Sequence, residues 1–135
     1  MGKLKAGQIA LADDAGLMVD ALDGRPGVLS ARFASPPTPE NLCRKLLKVM
    51  QESKKRTAQF ICVMALAYPD GKIKTVEGIC RGRIIHEMRG ERGFGYDPVF
   101  VPHGYKKTFA EMAPATKNRI SHRGRALKKV KFLIY

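Results

Sequence analysis

Gly93-Phe94-Gly95-Tyr96-Asp97-Pro98-Val99-Phe100 is the stretch around which the rest of the chain is organised. Two glycines bracket one aromatic ring, a second ring and a carboxylate follow, and Pro98 opens the strand-forming run Val99-Phe100-Val101. Glycine permits backbone geometry and close approaches that side chains resist. A ring held between glycines is therefore free to lie against another flat object, such as a nucleobase. The same pattern also describes a glycine-punctuated turn feeding an edge strand, with Phe94 and Tyr96 packed as core.

Working outward from that stretch, Gln59 to Ala67 is a nearly continuous apolar run and predicts a central strand. Tyr68-Pro69-Asp70-Gly71 makes a tight turn, with Lys72 to Glu77 and Ile79 to Ile85 returning as one strand or two, interrupted at Gly78 and Gly82 by a bulge. This meander makes the sheet mixed rather than wholly parallel. Thr38-Pro39-Glu40-Asn41 combines a cap residue, proline at the first helical position and an acid in the first turn. Leu42, Leu46, Leu47, Val49 and Met50 then repeat at helical spacing, so a helix is expected to about Ser53.

Nearer the N-terminus, Ile9 to Ala12 reads as a buried strand ending at Asp13-Asp14, with Leu17-Met18-Val19 continuing or pairing with it. Gly24 to Pro39 reads as a loop, and Met1 to Gly7 as the frayed remnant of a helix. Downstream, Thr108 and Glu111 have capping-box spacing, predicting a short helix that ends before Pro114. Ser121 caps a last helix, with Ala126, Leu127, Val130 and Leu133 as one apolar stripe. The fold class expected is α/β, a mixed twisted β-sheet flanked by helices, in a single domain over residues 1–135.

The chain has 25 Lys and Arg against 12 Asp and Glu, a formal net charge of +13. Such an excess favours polyanionic partners: nucleotides, nucleic acid or anionic surfaces. No helix-turn-helix, zinc or RNA-recognition signature accompanies the charge, which sets pure nucleic-acid binding aside. No apolar run approaches a membrane span and no signal segment opens the chain, so the expected location is the cytoplasm. Cys43, Cys62 and Cys80 are too far apart for a zinc pattern and read as buried, reduced thiols.

Three further groups of residues carry chemistry. Asp13-Asp14 at a strand end is either a solvated turn or an acid site, and strand alternation lets only one of the two face a given site. Oxygen ligands of this kind suit Mg²⁺, which binds one or two carboxylates together with substrate phosphates. Arg32 and Lys117 are loop cations, either merely exposed or aimed at phosphate. Ser121-His122-Arg123 sets two basic side chains at a helix N-terminus, where first-turn positions prefer acids. A local rule broken in this way points to a functional site.

Taken in order, Ala12-Asp13-Asp14-Ala15-Gly16-Leu17, Ser30-Ala31-Arg32-Phe33, Phe94-Gly95-Tyr96-Asp97, Lys117 and Ser121-His122-Arg123 resemble the inosine/xanthosine triphosphate pyrophosphatases, from about Ile9 to Leu133. The resemblance implies Mg²⁺-dependent hydrolysis of inosine and xanthosine triphosphates to the monophosphate and pyrophosphate. Asp14 would be metal ligand and base, and Ala15 stands where the family has a serine that touches substrate. Arg32 and Lys117 would meet phosphate, Phe94 would stack on the base with Gly95 and Tyr96 beside it, and Asp97 would contact its edge. His122 and Arg123 would meet the six-position oxygen. The family's opening Thr-Gly-Asn-x-x-Lys and Ser-Phe-x-Glu-Asn segments are absent from these residues, which implies an N-terminally shortened chain, a homodimer that covers the surface laid bare, and an alternative reading as a nucleotide-binding module without turnover or a basic nucleic-acid-binding protein.

Overall fold

The structure is a computed structural model in which residues 8–134 are described, so the expectation for Met1 to Gly7 lies outside them. Five strands, β1 (Ala10–Val19), β2 (Arg25–Gly27), β3 (Thr57–Ala67), β4 (Ile73–Ile84) and β5 (Phe100–Pro102), form one sheet in the order β2-β1-β3-β4-β5. Three α-helices accompany them: α1 (Pro39–Val49), α2 (Pro114–Ile120) and α3 (His122–Ile134). Every ladder among the described residues is antiparallel, so the α/β class stands while the parallel pairs of a mixed sheet do not appear. Among the described residues no helix is long and apolar enough to cross a membrane.

Burial alternates along the strands and assigns the faces. Leu17 and Val19 of β1 are buried opposite Phe60 and Ala58 of β3, and Phe60 is in turn opposite the buried Cys80 of β4. Helix α1 covers this end of the face with Leu42, Cys43 and Leu46, joined by Met50 just past its end. Further along the same face Cys62, Met64 and Leu66 lie under Ala126 and Val130 of α3. Among the described residues, the opposite face, which carries Val63 and Asp14, has no helix in its core contacts. One face of the sheet therefore supplies the core and both packed helices.

Several local expectations change. The Asp pair does not end a strand: β1 runs through it to Val19, and Ile9 and Leu11 are exposed rather than buried. The expected loop from Gly24 to Pro39 contains β2 and a 3-10 turn at Ser30–Arg32, because Leu17 to Val19 recruit Arg25 to Gly27 as an edge strand. Helix α1 starts as expected, with Thr38 accepting from the Asn41 amide, and ends at Val49. Strand β4 is unbroken: a Cβ on Gly78 would lie 1.9 Å from the His122 carbonyl oxygen and one on Gly82 2.3 Å from that of Val101. Those glycines mark close approaches of α3 and β5, not bulges. The Thr108–Glu111 capping box is present and its helix ends before Pro114 as expected, but it is a three-residue 3-10 turn, and Pro114 opens a further helix, α2. Ser121 caps α3 through the Gly124 amide, and of the expected stripe only Ala126 and Val130 are buried.

Candidate active site

The loop before β5 is held rigid from below. Asp97, 3% exposed, accepts from the Phe94 amide at 3.0 Å and from Lys117 Nζ at 2.6 Å. Gly93 has φ +81°, and a Cβ there would meet that carboxylate at 2.2 Å, so only glycine lets the loop close over Asp97. Tyr96 donates its hydroxyl to the Ser30 carbonyl at 2.6 Å, and Ser30 Oγ accepts from the Leu17 amide at 2.9 Å. Cys43 reaches the Gly95 carbonyl from α1 at 3.5 Å, and burial, then Asp97, pushes its thiol up to about 12, so it stays a neutral donor. Burial also drives the Tyr96 phenol upward. With Tyr96 and Asp97 buried, Phe94 is left outside, 57% exposed.

Around that ring gather the cations. Lys117 Nζ lies 4.6 Å from the Phe94 centroid and the Arg123 guanidinium carbon 5.7 Å from it. Arg123 also pairs with Asp13 at 3.3 Å. His122 stacks on Phe60 at 4.7 Å with planes 14° apart, and its buried Nδ1 has no hydrogen-bond partner among the described residues. Burial first, then Arg123 and Lys117, lower its pKa to about 4, so the imidazole is neutral at pH 7. A neutral imidazole carries one donor and one acceptor, whereas Arg123 is donor only.

Two cavities meet at Phe94 and His122. One, of about 350 Å³, is lined chiefly by apolar atoms of Ala15, Leu17, Ala31, Pro39, Phe60 and Tyr96, with Gly95 and Asp97 at its floor. The other, of about 490 Å³, is lined by Lys117, Arg123, Leu127, Lys128 and Lys131. A larger open cleft of about 860 Å³ beside β4 and β5 contains none of the motif residues. Of the residues singled out from sequence, Ala15, Phe94, Gly95, Tyr96, Asp97, Lys117, His122 and Arg123 thus line one cavity or both. Arg32 is exposed on its 3-10 turn and lines neither.

The acid pair divides as strand geometry requires. Asp13 is opposite Met64 and shares the α3 face, whereas Asp14 is opposite Val63 on the other face and lines neither cavity. Counting back by twos from the buried Val19 and Leu17 reaches Asp13, a signal present in the sequence that favours it over Asp14 as the residue facing α3. Lys128 and Lys131 were also missed, although they follow Gly124 at helical spacing. Among the described residues no cluster of three His, Cys, Asp or Glu offers a metal cage, and a lone Asp14 supplies one of the six ligands that Mg²⁺ takes.

Fold and site together define an α/β protein that presents an exposed aromatic ring and a cation-rich cleft beside an antiparallel sheet. The profile of the Ham1 family matches residues 2–133, and the chain belongs to that family. It is 55% identical over 126 residues to the dITP/XTP pyrophosphatase of Desulforamulus reducens, covering 91% of this chain and 63% of the relative. To the dITP/XTP pyrophosphatase of Synechocystis sp. it is 49% identical over 135 residues, covering 94% and 69%. The chain spans about two thirds of the length of these curated relatives. The Staphylococcus aureus Ham1 protein structure superposes with a TM-score of 0.89 at 36% identity, over 96% of this chain and 68% of that one.

Proposed function

We propose that the chain is a purine nucleotide pyrophosphatase that splits inosine and xanthosine triphosphates, deoxy forms included, to the monophosphate and pyrophosphate. The observation that carries this reading is the buried Nδ1 of His122, unpartnered among the described residues, in the wall between the two cavities beside the Phe94 ring. A six-keto oxygen would accept from His122 and Arg123 while the base stacks on Phe94 and Ala15, Gly95, Tyr96 and Asp97 bound its cavity. Adenine offers an amino donor at that place, and facing it with the donor-only Arg123 leaves buried donors unpaired at about 1–3 kcal/mol. Lys117, already tied to Asp97, would sit against the base edge. Arg32 would reach phosphate only from its exposed turn.

For the hydrolytic step the motif position assigns the base, and the metal contact, to Asp14. Bound there, Mg²⁺ would neutralise the phosphates. A single carboxylate on the sheet face away from both cavities does not fit an Mg²⁺ centre beside the ring. Water attack at the α-phosphorus with pyrophosphate leaving needs one carboxylate to orient or deprotonate the water. Asp13 occupies the cleft side and Asp14 the other. The test is pyrophosphate release from ITP, XTP, dITP and ATP with Mg²⁺ by the wild type, Asp14→Asn and Asp13→Asn. Loss with Asp14→Asn alone supports the motif assignment, and unchanged release by that variant removes Asp14 from the chemistry.

A second reading follows from the same walls: among the described residues the one carboxylate lining either of the two cavities that meet at Phe94, Asp97, is already bound to Lys117 and the Phe94 amide. On that reading the chain binds the nucleotide without cleaving it, and affinity for ITP without pyrophosphate release selects it. We further propose one domain over residues 1–135, a cytoplasmic location in keeping with three free buried thiols, and a homodimer. The dimer is favoured by the edge of β1 before Leu17, which has no partner opposite β3 among the described residues. A monomeric mass in light scattering at micromolar concentration would count against it.

A further inference from the structure

We propose that the free edge of β4, from Ile73 to Glu77, takes up an extended, acidic segment of a partner protein as an added strand, whose alternate side chains enter the groove between β4 and α3. The alternation of the ladder lays that edge bare. The Ile84 amide donates to the Arg56 carbonyl at 2.8 Å, so even-numbered residues of β4 turn their backbone groups toward β3. Odd-numbered residues face the other way. The Ile85 amide donates to the Val99 carbonyl at 2.9 Å, and the Arg81 carbonyl accepts from the His103 amide at 2.8 Å. The next outward carbonyl, that of Ile79, accepts from Arg125 Nη1 at 2.9 Å. Beyond it the N–H and C=O groups of Ile73, Thr75 and Glu77 have no backbone partner among the described residues. None of these residues lines the cavities at Phe94, so the edge is separate from the nucleotide reading.

Beside this edge runs a groove of about 470 Å³, lined by Lys74, Thr75 and Val76 of β4 and by Lys129, Phe132 and Leu133 of α3. Val76 packs against the core cluster beneath α3, which puts the even-numbered side chains of β4 on the groove side. The apolar wall stands open, with Phe132 89% exposed. A strand bonded from Ile73 to Glu77 runs for about 13 Å and sends every second side chain into the groove. Such strand addition draws affinity from main-chain bonds and specificity from pockets for alternate side chains. Charge selects the occupant. Lys74 and Lys129 make no ion pair among the described residues, and no carboxylate lines the groove. Pairing this edge with that of a second copy would bring like charges together in a chain of net charge +13. An acidic strand with apolar residues at alternate positions meets both the lysines and the Phe132 wall.

The experiment is fluorescence anisotropy of a labelled Glu-Thr-Val-Thr-Val-Thr-Glu peptide titrated with the full chain at low salt. It is set beside the same peptide with Lys in place of both Glu, and beside two forms N-methylated at the odd or at the even positions. The Glu peptide should bind, and the Lys form about tenfold more weakly or worse. Only one of the two N-methylated forms should lose binding, because alternate amides face β4. Thr75→Pro removes an outward donor and leaves the β3 ladder intact, as edge strands allow. Phe132→Ser removes a ring that lies outside the core, so folding is not at stake. Each variant should lower affinity about fivefold or more. Val28→Ser, at an exposed apolar residue elsewhere, should change it less than about twofold. No binding of the Glu peptide at about 1 mM chain overturns the proposal, as does unchanged affinity in Phe132→Ser or the same result for both N-methylated forms. A scattering mass that falls with Thr75→Pro while no peptide binds assigns the edge to a second copy. Sedimentation with phosphatidylglycerol vesicles, again with no peptide bound, assigns the apolar wall to lipid. Either outcome overturns it too.

Discussion

His122 ties the fold's stability to pH through a group at the heart of the site. Its imidazole is 7% exposed, lies flat on Phe60, and titrates near 4 instead of the ordinary 6.5, chiefly because burial disfavours the charged form. Between those two values the unfolded chain binds a proton that the folded chain refuses, so stability rises with pH across this window. The contribution is fully present above about pH 6.5 and is lost as pH falls toward 4. A shift from 6.5 to about 4 corresponds to about 3 kcal/mol at its largest. Carboxylates titrate over part of the same range, so the quantity to isolate is a difference between proteins. Urea unfolding of the wild type and of His122→Gln at intervals from pH 7 to pH 4 supplies it. The wild type should lose about 2–3 kcal/mol more than the variant, most of it below pH 6. Arg123 and Lys117 depress the same pKa after burial, so Arg123→Gln should move the imidazole titration, followed by NMR, upward. Parallel stability curves for the wild type and His122→Gln would refute the placement of a neutral, buried imidazole at this wall.

Three further outcomes test the frame around it. Gly78→Ala drives a methyl into the His122 carbonyl and the Ala126 amide of α3, and should cost about 1–3 kcal/mol, read as a fall of several degrees in Tm by calorimetry. Phe94→Ala removes a ring that is mostly outside the core, so Tm should hold while affinity for inosine monophosphate drops about 5- to 100-fold in calorimetric titration. Asp97→Asn strands Lys117 and should destabilise by about 2–4 kcal/mol, whereas adding Lys117→Met recovers part of that loss, a coupling that a double-mutant cycle by urea unfolding measures directly.

What was legible in the sequence is what depends on neighbours along the chain. The Thr38 cap, the Thr108–Glu111 box and the tight turn at Tyr68–Gly71 all involve groups within a few positions of one another, and each is present. His122 and Arg123 were readable too, because basic residues opening a helix break a local rule, whereas Phe94, Asp97 and Lys117 stood out only through the resemblance of their order to a known family. What escaped reading depends on contacts across the sheet. Gly78 and Gly82 look like interruptions until α3 and β5 are seen to pass within contact of them. Residues 25–27 look like loop until Leu17 to Val19 offer an edge to pair with.

At the acid pair, local motif and sheet geometry act together. A run of two aspartates says that a carboxylate is available, and only the register of β1 against β3 says which one is on the helix side. Once Leu17 and Val19 are committed to the core beneath α1, period-two alternation leaves Asp13 no choice but the face of α3, where Arg123 meets it. That pairing anchors the guanidinium near the Phe94 ring and engages the charge of Asp13, so that among the described residues Lys128 and Lys131 remain as the cleft's cations without an ion pair. A strand register set by hydrophobic burial at one end of β1 therefore decides the electrostatics of the site at the other.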